Sequence, residues 1–444
     1  MTQQRPAEVP TEAKQAGETH ELETWVETAV WTQRMLAALK AGVKGGKWFS
    51  LMDKVYAKAN LQKAFEQVKA NAGAAGVDNQ TIEMFEDHLA TNLEKIAQTL
   101  KEGTYRPQAI KRVWIPKPGS QEQRPLGIPT VRDRVVQTAL RSVIEPIFEI
   151  EFAQHSYGFR PNRGCKDALR RVTELLEEGY VWVVDADLKS YFDTIPHPQL
   201  MERVERKVAD GRVLSLIEGF LKQDIMEDKQ RQTPSRGSPQ GAVISPLLSN
   251  IYLDPLDHLM AQAGIEMVRY ADDLVIMCKS EADALKAMER LEQWTAQAGL
   301  TLHPEKTRIV DATQAGGFDF LGYHFERGYK WPRRKSLKKV KDSIRVKTKR
   351  NNGHSLKEII SNVNRTLKGW FEYFKHSHKY TFSQLDGWIR MRMRSILRRR
   401  QRKKGRGRGS DHQRWPNAYF AELGLYSLVA AHTSVCQSLN KVNH

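Results

Sequence analysis

Asp272 and Asp273 lie side by side between two short, largely apolar runs, Met267-Val268-Arg269-Tyr270 and Leu274-Val275-Ile276-Met277. Few folds accommodate such a stretch. The flanks read as strands, and the acids fall at the turn of a tight hairpin. Like charges there repel. A hard divalent cation such as Mg²⁺ reverses that cost, because it takes oxygen ligands. A solvated acidic turn explains most such pairs taken alone, so the rest of the chain must decide.

Val181-Trp182-Val183-Val184 is a second apolar strand, and it ends in Asp185, Ala186 and Asp187. An acid at a strand end projects from an open sheet where a metal ligand would sit. Helix capping by Asp185, Asp187 or Asp193 is the competing account. Asp187 with Asp272 and Asp273 completes a three-carboxylate set of the kind used in two-metal phosphoryl transfer. Phe192, five residues after Asp187, would lie beside a nucleotide sugar; Tyr191 is the rival ring.

The order strand-Asp, then strand-Asp-Asp-strand, resembles the palm of a reverse transcriptase. Other segments resemble that family in the same order. Arg124-Pro125-Leu126-Gly127-Ile128-Pro129-Thr130 is similar to its fingers motif, and Ser238-Pro239-Gln240-Gly241 opens a motif that packs on nucleotide and template. Gly299 to Thr307 carries the basic residue Lys306, and Phe320-Leu321-Gly322-Tyr323 resembles the strand leading to the thumb. Ala186 to His197 and His155 to Pro161 resemble the group II intron-encoded reverse transcriptases and maturases in particular. The likeness covers residues 50–430.

That resemblance implies an α+β, right-hand polymerase architecture. Fingers and palm, an antiparallel sheet with helices, precede an all-α thumb. The expected divisions are a disordered tail over 1–20, N-terminal extension and fingers over 21–150, and palm over 151–330. A helical thumb or maturase domain follows over 331–400, and a basic linker with a DNA-binding module over 401–444. Implied metal ligands for two Mg²⁺ are Asp187, Asp272, Asp273 and the Leu188 carbonyl. Lys117, Arg124, Phe192, Gln240, Gly241 and Lys306 would contact the deoxynucleoside triphosphate. Simple loop solvation competes for Lys117. Lys306 has two readings, proton donation to pyrophosphate and charge screening. Tyr270 and Arg269 would face an RNA template with its DNA primer, although core packing also explains Tyr270. Implied partners are group II intron RNA and a target DNA. The implied function is cDNA synthesis with help in splicing and mobility. The alternatives are a domesticated polymerase in defence or repair, and an RNA-binding splicing maturase only.

Composition agrees. The 444 residues carry a formal charge of +18, which suits a polyanionic partner. Much of it follows the acidic motifs. Lys338, Lys339, Arg345, Lys349 and Arg350 crowd one segment, and Arg390, Arg394 and Arg398 another, as expected of faces that bind RNA phosphates. Arg402 to Gly409 reads as a flexible cationic link. Leu356, Ile359, Ile360, Val363, Leu367, Trp370 and Phe374 form one apolar helical stripe, and Leu385, Trp388, Ile389, Met393, Ile396 and Leu397 another. Helical spacing is also expected over 21–70, 84–103, 133–150, 165–178 and 281–298. Three widely spaced cysteines suggest a reducing compartment, and no paired cysteines suggest an H-N-H endonuclease. With no apolar run long enough for a membrane and no secretory signal pattern, the bacterial cytosol or nucleoid is expected.

Overall fold

Strand alternation builds the central sheet of the computed structural model, which describes residues 24–116, 123–227, 230–405, 407 and 409–442. The expected tail over 1–20, Lys117, Arg406 and Arg408 lie outside these residues. The strands are β1 (Ile110–Pro116), β2 (Gln123–Ile128), β3 (Trp182–Asp187), β4 (Ile225–Glu227), β5 (Gln230–Gln232), β6 (Glu266–Tyr270), β7 (Asp273–Cys278), β8 (Arg308–Asp311), β9 (Phe318–Phe320), β10 (Tyr323–Glu326) and β11 (Tyr329–Pro332). They form three sheets, ordered β2-β1-β4-β5, β6-β7-β3-β8 and β11-β10-β9.

In the β6-β7-β3-β8 sheet every pairing is antiparallel, with Val183 opposite Met277, Asp185 opposite Val275 and Asp187 opposite Asp273. Side chains alternate between faces. Val184, Ala186, Leu274 and Ile276 therefore share one face, where Leu256 and Met260 from the helix Ser245–Gln262 and Ala284, Ala287 and Leu291 from Glu281–Gln297 cover them. Val183, Val268, Val275 and Met277 share the other, under Ala168, Val172 and Leu175 of the helix Cys165–Glu177 and Phe318 and Phe320 of β9. Both faces are covered, so β7 is apolar from Leu274 to Cys278, as a fully buried strand should be. Only the strand ends, which hold the acids, reach the cleft.

The helices begin where capping side chains allow. Thr130 accepts from Asp133 N–H, Ser280 from Asp283 N–H and Ser355 from Glu358 N–H. The 21–70 region is broken into Gln33–Ala41, Met52–Val55 and Lys58–Asn71, because Gly42, Gly45 and Gly46 adopt positive φ between the first two. Asp210 ties this region down: its carboxylate accepts from Leu51 and Met52 N–H at 2.8 and 2.9 Å while capping the helix Gly211–Leu221.

Arg334–Lys347, Leu356–Phe374 and Lys379–Arg400 form a helical group whose two expected stripes meet in one core. Trp415, Phe420 and Leu428 belong to that same core. Asp386 fixes the arrangement by accepting from Leu428 N–H at 3.1 Å and from the Ser427 hydroxyl at 2.9 Å. One sequence expectation is overturned here. Arg394 is not on a nucleic-acid face: it is 2 % exposed, and it donates to Trp415 O at 2.9 Å and Asn417 Oδ1 at 2.8 Å. The C-terminal segment lies over it. No described helix is long and apolar enough to cross a membrane.

Candidate active site

The β6–β7 hairpin closes through Tyr270 paired with Asp273, so Ala271 and Asp272 alone make the turn and Asp273 begins the strand. Ala271 has φ +60°, a conformation most side chains avoid. Gly158 lies directly against it; a Cβ on Gly158 would overlap the Ala271 nitrogen. Asp187, at the end of β3, is paired with Asp273 on β7, and Asp185 lies two residues earlier on the same face.

These acids press on one another. Burial, then repulsion from Asp272, Asp185 and Asp187, pushes Asp273 up to about 7, with Arg333 opposing. Asp273 nevertheless keeps exposed surface, where it lines the trough towards Arg333. Burial also raises Asp272; its own backbone N–H and Arg124 oppose, and Asp187 adds to the rise. Asp185 is pushed to about 6 by burial, against the pull of Arg308 at 3.5 Å. Lys306 Nζ donates to Asp187 Oδ2 at 2.7 Å. No three carboxylate, imidazole or thiol groups among the described residues converge into a ready-made cation cage. The donor chemistry nevertheless fits one. Crowded carboxylates with raised proton affinity are what a divalent cation relieves, by supplying the missing positive charge.

A groove of about 410 Å³ is lined by Arg112, Trp114, Gly127, Phe192, Asp193, Arg236, Ser238 and Gln240. Phe192 is half-buried at its edge and edge-on to Tyr191, with ring centroids 5.4 Å apart. Tyr191 is fully buried, its hydroxyl donating to Ser249 O at 2.8 Å, so of the two rings Phe192 is the one that lines the groove. Phe159, 42 % exposed, continues the row towards Tyr270, at 6.4 Å from Phe192 and 6.5 Å from Tyr270. Burial and the neighbouring Cys165 thiol push the Tyr270 phenol up to about 12.

Gln240 and Gly241 join the groove to the β2-β1-β4-β5 sheet. Gln240 O accepts from Gly127 N–H at 2.6 Å, and Gly241 has φ +106° with Gly127 O where a Cβ would stand. Arg124, on β2, brings positive charge to bear on Asp272. Leu188 is buried, and its bridge to Leu302 holds the Lys306 loop against β3. A second trough, of about 580 Å³, joins Asp273 to Gly322, Arg333, Ser336, Lys339, Trp370 and Tyr373.

Arg269 is not at the primer or template. Strand parity pairs it with Leu274 and sends it to the face covered by Ser245–Gln262, where it is fully buried and ion-paired with Asp257. Lys349 and Arg350 are exposed; Lys338 and Arg345 are exposed too, but both engage Asp342. Arg390 is half-buried 3.9 Å from Asp386. Arg398 donates to Asp411 at 2.8 Å and Lys404 O at 2.7 Å, which turns it inward. Phe159, Arg112, Arg333 and Gly158 border these acids and grooves without any site role implied by the sequence motifs. For Gly158 and Phe159, their place in the Tyr157-Gly158-Phe159-Arg160 run was the available signal.

Two family models match this chain. Residues 115–325 match "Reverse transcriptase (RNA-dependent DNA polymerase)", a family that uses divalent metal, and residues 337–415 match "Group II intron, maturase-specific domain". The group II intron-encoded protein LtrA of Lactococcus lactis subsp. cremoris is 37% identical over 214 residues, covering 48% of this chain and 35% of that protein. Protein YkfC of Escherichia coli (strain K12) is 34% identical over 295 residues, covering 58% of this chain and 77% of that one. The chain thus spans only 35% of the length of LtrA.

Proposed function

This chain belongs to the family of group II intron-encoded reverse transcriptases and maturases, and we propose that it is an RNA-directed DNA polymerase that also binds its intron RNA to assist splicing and mobility. The observation that carries the reading is the register that sets Asp187 opposite Asp273 with Asp272 in the adjoining turn, Asp273 opening onto the trough it shares with Arg333. In the reaction, a primer 3′-hydroxyl attacks the α-phosphorus of a deoxynucleoside triphosphate and pyrophosphate leaves. Asp187, Asp272, Asp273 and the Leu188 carbonyl would hold two Mg²⁺, whose charge favours the deprotonated hydroxyl and the phosphate charge that builds during attack. Arg124 and Lys117 bind the triphosphate, Phe192 excludes a 2′-hydroxyl, and Gln240 with Gly241 shapes the nucleotide pocket. Tyr270 borders the primer end, and Lys306 leaves Asp187 to meet the pyrophosphate.

Residues 21–150 serve as N-terminal extension and fingers, 151–330 as palm, 331–400 as thumb and 401–444 as the target-DNA segment. Exposed Lys338, Lys339, Arg345, Lys349 and Arg350 bind intron RNA phosphates. The bacterial cytosol or nucleoid, where intron RNA is made, is the matching location. The test is primer extension by the purified chain on an RNA template with a DNA primer, deoxynucleotides and Mg²⁺. Asp272→Ala should abolish extension while keeping wild-type circular dichroism, RNA affinity and splicing assistance. Wild-type extension by Asp272→Ala would overturn the assignment.

A further inference from the structure

The side of the palm sheet that packs on Ser245–Gln262 holds a polar cluster directly beneath the Ala271–Asp272 turn. At its centre is Arg269, with no exposed surface. Its Nε donates to both Asp257 oxygens, at 2.8 and 3.0 Å. Nη2 donates to Ser156 Oγ at 2.7 Å and also reaches Asp257. Nη1 donates to Asn250 Oδ1 and to Ala271 O, each at 3.0 Å. All five guanidinium N–H groups are thereby used, a geometry that a lysine ammonium cannot reproduce.

The bond to Ala271 O connects this cluster to the acids. Ala271 is the first residue of the two-residue turn and holds φ +60°. Gly158 closes on its nitrogen from the other side, and Gly158 O in turn accepts from Asn250 Nδ2 at 2.8 Å. Asn250 and Asp257 lie seven residues apart, so one face of one helix supplies both anchors. A disfavoured turn persists only where its surroundings over-determine it. Here both sides of the Ala271 peptide are clamped, and Asp272 and Asp273 follow it directly.

We infer that Arg269 is a positioning residue for the metal ligands: by holding the Ala271 carbonyl to Asn250, Asp257 and Ser156, it sets where Asp272 and Asp273 stand relative to Asp187. This rests on the metal-dependent polymerase reading. Arg269→Lys keeps the charge facing Asp257 but cannot span the other three partners. Asn250→Leu keeps the Arg269–Asp257 pair and removes the link to Gly158, so it decides the matter if Arg269→Lys does not fold.

The probe is Mn²⁺, titrated by electron paramagnetic resonance, with Asp272→Ala marking the site's own signal. Primer extension against Mg²⁺ concentration and a thermal melt accompany it. Arg269→Lys should weaken Asp272-dependent Mn²⁺ binding by about tenfold or more, as for residues that orient metal ligands, and raise the half-activating Mg²⁺ by a similar factor. Asn250→Leu should shift both in the same direction. A lower melting temperature with unchanged Mn²⁺ affinity and Mg²⁺ requirement would reduce Arg269 to a structural ion pair. A wild-type chain without Asp272-dependent Mn²⁺ binding would overturn the inference itself. One that binds Mn²⁺ there but never extends a primer would sink the polymerase reading, leaving Arg269 to be judged on the Mn²⁺ affinities.

Discussion

The Phe192 ring stands at the groove edge against Tyr191 and Phe159, so a 2′-hydroxyl on an incoming sugar would meet it. Exclusion by collision adds no contact to the right substrate. Phe192→Ala should raise ribonucleotide incorporation relative to deoxynucleotide by about tenfold or more, equivalent to ~1.4 kcal/mol of lost discrimination. Single-nucleotide extension with each substrate measures it. Tyr191→Ala should instead lower stability by roughly 3–5 kcal/mol, since it opens a cavity in the core and removes the bond to Ser249. A second expectation concerns Asp273, whose folded pKa lies far above the ordinary carboxylate value. The folded state then binds more protons than the unfolded state between about pH 4 and pH 7. Without divalent ions, stability should fall as pH rises through that window. Asp273→Asn should melt above wild type at pH 8 in a chelator, and the gap should close towards pH 4. Arg269 shows what the motif left legible. The resemblance puts Arg269 beside Tyr270 at the primer, yet adjacent strand residues face opposite sides, so the two cannot share one cleft. What no spacing revealed was its partners, Asp257 and Ser156, which come from distant segments.

At the scale of elements, Gly241 and Asp210 join parts that local pattern treats separately. A Cβ at Gly241 would meet Gly127 O and Leu126, which ties the groove to β2. Gly241→Ala should misplace the fingers strand by overpacking and raise the nucleotide KM, with a stability loss of ~1–3 kcal/mol. A steady-state titration of deoxynucleotide checks it. For Asp210, burial opposes ionisation, but the N–H groups of Leu51, Met52, Val213 and Arg212 outweigh it and hold the carboxyl below its ordinary value. That stabilisation is present above the unfolded carboxylate pKa and is lost as pH falls through the lowered folded one. Asp210→Asn should therefore melt below wild type at neutral pH, with the difference shrinking in acid. Short apolar runs announced β3, β6 and β7 because both faces of those strands are buried, and apolar stripes announced the helices Leu356–Phe374 and Lys379–Arg400 because burial on one face imposes that period. They failed over 21–70, where Gly42, Gly45 and Gly46 interrupt an otherwise helical pattern.

Across the whole molecule, counting cations along the chain overstates the surface they make. Lys349 and Arg350 meet solvent, whereas Arg394 is spent on Trp415 and Asn417. Neutralising Lys338, Lys339, Lys349 and Arg350 together should lower RNA affinity and reduce the log–log salt slope by about 0.9 for each lost duplex phosphate contact. Arg394→Leu should leave that slope unchanged and lower the melting temperature. Filter binding across a salt series separates the two. The thumb core that buries Arg394 has a further consequence, for the order of synthesis. Domains fold as units while the chain is made, N-terminal part first. The residues of both palm cores have largely been made by Phe325, except that Phe374 joins one of them, whereas the thumb core waits for Trp415, Phe420 and Leu428. On the ribosome, Asp187, Asp272 and Asp273 therefore stand on a seated sheet while the apolar face that Trp415, Phe420 and Leu428 cover is still open.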